Sequence, residues 1–281
     1  MRRMRDTGKA RLRLHLRAER ALGLGALPVP APAPAEPHLA DTPAPVNVRS
    51  AKSTDLKQAA AVLPGKPLKV LMPMPIAEPF TSAPLSPAQK KIRLAELDEN
   101  EVKGCTRCRL HSTRTHTVFG EGDPNASIFF IGEGPGENED LTGRPFIGRA
   151  GDLLTKMIVG VGLSRDQVYI ANIVKCRPPN NRVPAPDEVA TCTTYLERQL
   201  EIIRPKAIVT LGLPASQYML QTKSSMGNMR GQWHSWRGIK LMPTYHPAYV
   251  LRNYTEETRR AVWDDLKKVV TELGMKVPAR K

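Results

Sequence analysis

Ser127-Ile128-Phe129-Phe130-Ile131-Gly132-Glu133-Gly134-Pro135-Gly136 is the stretch on which the fold turns. Its first half is almost wholly apolar and ends in glycine, which suits a short strand buried on both faces of a parallel sheet. Residues 168–174, 207–211 and 239–242 read the same way. Between these stretches lie helical patterns over 148–159, 186–203 and 214–220, and a last one over 256–273. Strand alternating with helix predicts a doubly wound α/β domain around a mainly parallel four-stranded central sheet. Upstream, Ser86-Pro87 reads as an N-cap followed by proline in the first helical position, opening a helix to about Lys103, where Gly104 stops it.

Sheets of this kind bind ligands beyond the carboxyl ends of their strands. Residues 132–136 follow the first strand, 172–179 end the second, Gly212 ends the third and 244–247 end the fourth. Their convergence predicts a single site. Gly132, Gly134 and Gly136 invite a dinucleotide reading, but Pro135 and the acidic Glu137, Glu139 and Asp140 put negative charge where a pyrophosphate sits. A Walker loop is absent from the sequence, and the glycines better suit close approach of backbone to a flat ligand. Phe146 offers a ring to stack on such a ligand, against the ordinary reading of a core plug. The Asn172 amide can accept from a ring N–H while donating to a ring carbonyl, the pattern that uracil presents and cytosine reverses; its ordinary reading is a turn cap. His246, fixed ahead of Pro247, reads equally as a functional or a structural histidine.

Composition shifts near residue 90. Residues 1–90 hold 14 of the 26 prolines and no sustained helical or strand period, so they are expected to form a basic, Pro/Ala-rich, mostly disordered tail ahead of a domain over 91–275. The net charge of +15 is spread over both parts, and no apolar run reaches transmembrane length. A polyanionic partner, nucleic acid ahead of a membrane surface, is the expectation. Leu12, Leu14, Leu16, Leu22 and Leu24 alternate with arginines near the start, a pattern open to an amphipathic helix or a solvated basic tail. No export-type apolar segment occurs in residues 1–26, so the expected location is a reducing cytoplasm, over the nucleoid. In that compartment the four cysteines, Cys105, Cys108, Cys176 and Cys192, point to metal ligation rather than disulfides. Their spacing, one CxxC and two separate thiols, leaves an iron-sulfur cluster, zinc and free buried thiols all open.

Five motifs then carry a resemblance: residues 118–122 (Val-Phe-Gly-Glu-Gly), 131–136 with Glu139-Asp140, 143–151 (Gly-Arg-Pro-Phe-Ile-Gly-Arg-Ala-Gly), 172–179 (Asn-Ile-Val-Lys-Cys-Arg-Pro-Pro) and 245–252 (Tyr-His-Pro-Ala-Tyr-Val-Leu-Arg). Over about residues 92–270 the chain closely resembles the family 4 uracil-DNA glycosylases, the iron-sulfur branch of that superfamily. The resemblance implies a three-layer α/β/α domain that removes uracil from single- or double-stranded DNA, with a 4Fe-4S cluster on Cys105, Cys108, Cys176 and Cys192. It assigns Glu133 and Gly134 to the catalytic loop and Glu139 to the C5 edge of the base. Phe146 is placed beneath uracil, Asn172 on its hydrogen-bonding edge and His246 at its O2. A monomer is expected, with the tail open to a repair or replication partner. Val250 or Leu251, read as lying in a loop after His246, is a candidate wedge for the stack vacated by a flipped base, and Arg252 a phosphate contact.

One departure bears on mechanism. Where the family 1 motif reads Gln-Asp-Pro-Tyr, this chain has Glu133-Gly134-Pro135-Gly136, so the water-polarising aspartate is missing. Glu133 as water-positioning group and a largely dissociative cleavage both remain open. A crosslinking branch of the superfamily carries an inserted Lys-Arg-Arg-Ile-His-like loop, and Arg149-Ala150-Gly151 continues without one. A non-catalytic iron-sulfur nucleic-acid-binding module and a zinc-bearing nucleotide-binding protein are the remaining alternatives.

Overall fold

A computed structural model describes residues 78–278. Most of the tail expectation, including the leucine-arginine pattern, concerns residues outside that range. Within 78–90, the Phe80 ring meets Trp236 edge-on at 5.8 Å, and Lys90 Nζ donates to the Ile203 carbonyl at 2.7 Å.

Four strands form the parallel centre: β2 (Ile128–Gly132), β3 (Tyr169–Asn172), β4 (Ala207–Leu211) and β6 (Ile239–Thr244). All residues of β2, β3 and β4 are buried, as expected of apolar runs covered on both faces. With β1 (Glu121–Gly122) and β5 (His234–Trp236) at its edges, however, the sheet has six strands among the described residues, in the order β1-β3-β2-β4-β6-β5. Strand β1 pairs antiparallel with β3, and β5 pairs antiparallel with β6. Two or three residues of mixed polarity give no period to read, which is why four strands were expected and both edges were missed.

Alternation within the strands sends side chains into two cores, giving three layers. Phe129, Ile131, Tyr169, Ile208 and Leu241 pack in one core with Leu94 and Leu97 of the helix Pro87–Leu97 and with Leu196, Leu200 and Ile203 of the helix Pro186–Ile203. Ile128, Phe130, Ile170, Val209 and Met242 pack in the other with Leu154 and Ile158 of the helix Arg149–Gly160 and with Val262, Leu266 and Val269 of the helix Glu256–Glu272. Phe129 and Phe130 are 0% and 1% exposed, and cutting either to alanine costs about 3–5 kcal/mol.

Ser86 caps the first helix as expected, accepting from the Gln89 amide while the Gln89 side chain accepts from the Ser86 amide. The α-helix ends at Leu97 and passes into a π-turn over Asp98–Val102, so a helical path reaches Lys103 in two geometries. Helices over Glu137–Thr142, Met226–Met229 and Pro247–Arg252 were not foreseen, being too short for a hydrophobic period to emerge.

Candidate active site and four-cysteine hollow

At the carboxyl ends of the parallel strands lies a cleft of about 820 Å³. Glu133, Gly134, Glu139, Phe146, Asn172 and His246 all line it, and so do Arg182, Tyr249 and Arg252. The site residues proposed from sequence are therefore brought together in one place.

Asn172 ends β3 and is 1% exposed. Its Oδ1 accepts no hydrogen bond, although a buried acceptor left without a partner costs about 1–3 kcal/mol. Gly132 stands opposite it in the parallel register. A Cβ at Gly132 would lie 2.3 Å from that Oδ1 and 2.5 Å from Phe146 Cζ, so only glycine lets the amide and the ring face the same space. Glycine in this motif thus serves close packing, not a phosphate.

His246 is the N-cap of the helix Pro247–Arg252, and its Nδ1 accepts from the Ala248 amide at 3.1 Å. Burial lowers its pKa to about 4, with the Arg252 charge acting in the same direction and Glu139 opposing. The imidazole is therefore neutral near pH 7, and an acceptor at Nδ1 places the proton on Nε2. Phe146 lies beside it with ring centroids 5.7 Å apart. Gly212, at φ +89°, runs close under the histidine, where a Cβ would sit 2.8 Å from that of His246.

Both oxygens of Glu139 are engaged by backbone. Oε2 accepts from the Gly136 amide at 3.0 Å, and Oε1 accepts from Ile147 and Gly148 at 2.9 and 3.2 Å. One carboxylate thus ties the loop after β2 to the loop carrying Phe146. The Glu133 carboxyl is raised above its ordinary pKa by burial. Val250 is fully buried in a core, within a helix rather than a loop, so the expected wedge cannot be this residue. Burial of one helix face took it out of reach of solvent, and Leu251 beside it is half-buried.

The four cysteines line a second, smaller hollow together with Arg114, Lys175 and Tyr195. They form no disulfide. Three of the sulfurs accept hydrogen bonds: Cys176 Sγ from Arg114 Nη1 at 3.2 Å, Cys192 Sγ from the Lys175 amide at 3.2 Å, and Cys105 Sγ from the Tyr195 hydroxyl at 3.3 Å. Burial pushes the Cys192 thiol up to about 12, against the lowering effect of Lys175, and raises that of Cys176. Among the described residues no three His, Cys, Asp or Glu side chains are grouped so as to hold one metal ion.

The model of the Uracil DNA glycosylase superfamily matches residues 119–267. The type-4 uracil-DNA glycosylase of Thermotoga maritima is 50% identical over 177 residues, which cover 62% of this chain and 92% of that protein. The chain belongs to the type-4 uracil-DNA glycosylases. Relatives of the same type from Sulfurisphaera tokodaii, 49% identical over 61% of this chain and 81% of theirs, and Archaeoglobus fulgidus, 44% identical over 63% and 92%, agree.

Sequence reasoning passed over several residues that hold this type-4 site in place. Lys175, 1% exposed, donates from Nζ to the Asn172 carbonyl at 2.9 Å and to Gln199 Oε1 at 2.6 Å. Glu188 accepts from Arg182, Arg109 and the Ala185 amide, and chiefly Arg182 holds its carboxyl at about 2. Arg165 grips the backbone at Phe146. A buried lysine looks like any surface lysine in sequence; Glu121, the partner of Arg165, lay inside a quoted motif without a role.

Proposed function

We propose that this protein removes uracil from DNA, hydrolysing the N-glycosidic bond to leave an abasic site for base excision repair. The observation that carries the reading is the partnerless Asn172 Oδ1, facing a neutral His246 across the same cleft. Uracil presents N3–H to that oxygen and O4 to the amide nitrogen; cytosine presents an acceptor and a donor instead, leaving buried polar atoms unpaired.

The target nucleotide is flipped into the cleft, and its base lies against Phe146. As the bond to the sugar lengthens, the deoxyribose takes on oxocarbenium character and uracil leaves as an anion. His246 Nε2–H donates to O2, where that charge gathers in a water-poor site. Glu133 orients the incoming water in a largely dissociative cleavage, and Gly134 completes the loop beside it. Glu139 sets the wall at the C5 edge through the two loops it joins, excluding thymine's methyl. Arg252, which lines the cleft, supplies a phosphate contact.

Cys105, Cys108, Cys176 and Cys192 would hold a 4Fe-4S cluster. In support, the four thiols line one hollow, and N–H and O–H donors aim at three of their sulfurs, as suits cluster thiolates. When bound, the cluster ties the CxxC segment to the end of β3 and to the helix Pro186–Ile203. The enzyme works as a monomer in the cytoplasm, over the nucleoid, with the basic N-terminal segment available to a repair or replication partner. Among the described residues no helix is long and apolar enough to cross a membrane.

A labelled oligonucleotide with one uracil, incubated with the purified protein and treated with alkali, tests the activity. Cleavage at uracil and none at a thymine control is expected; an intact uracil strand refutes the reading. Iron and acid-labile sulfide analysis tests the cluster, and zinc without iron would reverse that assignment.

A further inference from the structure

We infer that Arg165 and Glu121 form a positioning clamp that fixes Phe146 against the flipped base, which gives the short edge strand β1 a part in catalysis; the inference rests on the uracil excision proposed above. Phe146 has φ +52°, a left-handed conformation that a bulky residue adopts only when its surroundings impose it. Alongside the Glu139 carboxylate, which accepts from the Ile147 and Gly148 amides, one guanidinium grips the two carbonyls of this turn. Arg165 Nη2 donates to the Pro145 carbonyl at 2.6 Å and Nη1 to the Phe146 carbonyl at 3.1 Å.

The other edge of the guanidinium is anchored. Nε and Nη2 donate to Glu121 Oε1 at 3.0 and 2.7 Å, and Arg144 holds the same carboxylate from its other side at 2.8 Å. The Arg165 and Glu121 side chains are 19% and 25% exposed, so water competes only partly for these bonds. Behind the loop, Gly151 packs so tightly that a Cβ there would lie 1.8 Å from the Phe146 carbonyl oxygen. The backbone is thus held from two sides while the ring projects toward Gly132 and His246.

Neither Arg165 nor Glu121 lines the cleft, so their influence on chemistry passes through Phe146. Lysine cannot replace the arginine, because spanning two carbonyls and a carboxylate at once needs the planar fork of donors. This makes Arg165 a positioning residue rather than a catalytic one.

The test is a double-mutant cycle on single-turnover uracil excision and on inhibition by free uracil, using Arg165→Ala, Phe146→Ala and the pair. Arg165→Ala is expected to lose about 10–100-fold in excision and to weaken free-uracil inhibition. In the Phe146→Ala background the same change should add less than about 3-fold, because its effect has lost its carrier. Arg165→Lys should recover only part of the loss. Additive losses, wild-type behaviour of Arg165→Ala, or wild-type behaviour of Phe146→Ala each overturn the clamp. If Arg165→Ala does not fold, Glu121→Gln and Arg165→Lys carry the same cycle. An inactive wild-type protein refutes the excision reading itself; an active one with additive losses refutes only the clamp.

Discussion

The cleft and the cysteine hollow lie at two ends of one short run, from Asn172 to Cys176, yet they treat their polar atoms in opposite ways. In the cleft Asn172 Oδ1 is left without a donor at an energetic cost, and His246 keeps Nε2–H for a ligand. In the hollow, Arg114, Tyr195 and the Lys175 amide are aimed at sulfurs. The difference matches the two roles proposed above, a cleft for a base that enters and leaves and a hollow for a resident cluster. Lys175 joins the two: its backbone serves Cys192, and its buried Nζ serves the Asn172 carbonyl. One residue thus links the backbone at Asn172 to the cysteine region.

If that division is right, the two regions fail differently when cut. Cys192→Ala should have the largest effect, removing one of the four thiols proposed to hold the cluster; structural zinc sites, by comparison, contribute on the order of 10 kcal/mol to folding. Loss of a cooperative thermal transition is expected, with excision lost alongside it. A Cys192→Ala protein that melts like wild type but excises nothing would abolish the distinction, making the hollow part of the chemistry. His246→Ala and Asn172→Ala should show the reverse pattern. Each is expected to lose about 10²–10³-fold in excision rate, the scale of deleting one donor aimed at developing charge. The Asn172→Ala melting temperature should hold or rise, since the deleted oxygen has no partner in the free protein. A marked fall would mean that Oδ1 has a structural partner after all.

The histidine also sharpens the comparison through pH. Its folded pKa is about 4 against an ordinary 6.5. The unfolded chain therefore binds a proton that the folded one refuses, and stability falls as pH drops from about 6.5 to about 4, levelling off below. The contribution is about 3 kcal/mol in total. Denaturant titrations across that window should show the loss in wild type and a shallower slope in His246→Gln. Equal slopes would place the pH sensitivity elsewhere.

Legibility in the sequence followed the length of each signal. The four parallel strands and the long helices were readable because burial writes an apolar run into four or more strand residues and a period into the longer helices, as in Ile128–Gly132 and Pro186–Ile203. Strand ends then located the cleft without reference to any family. The edge strands and the Pro247–Arg252 helix were not readable, and of the two wedge candidates, Val250 and Leu251, the buried Val250 falls away for the same reason: six residues cannot show which face is buried. Beyond the reach of pattern altogether were the connections that fix the site, since Arg165 reaching Glu121 spans 44 positions and Lys175 reaching Gln199 spans 24. Resemblance named Glu139 as a guard of the base, and the structure adds that its oxygens hold two loops together.

Glu133 is the smallest expected effect and bears on what kind of cleft this is. Burial alone raises its carboxyl. A general base normally accounts for about 10²–10⁴-fold, and it is oriented by partners toward the proton it takes. Dissociative cleavage asks less, because the water meets an oxocarbenium already electrophilic enough to be attacked without deprotonation in advance. Glutamine at this position keeps the shape and a hydrogen-bond acceptor for orienting water while giving up the charge. Glu133→Gln should therefore lose less than about 10-fold in single-turnover excision, well under the general-base scale. A loss as deep as that of His246→Ala would show instead that Glu133 carries the proton, and the cleft would then depend on activating water more than on stabilising the departing base.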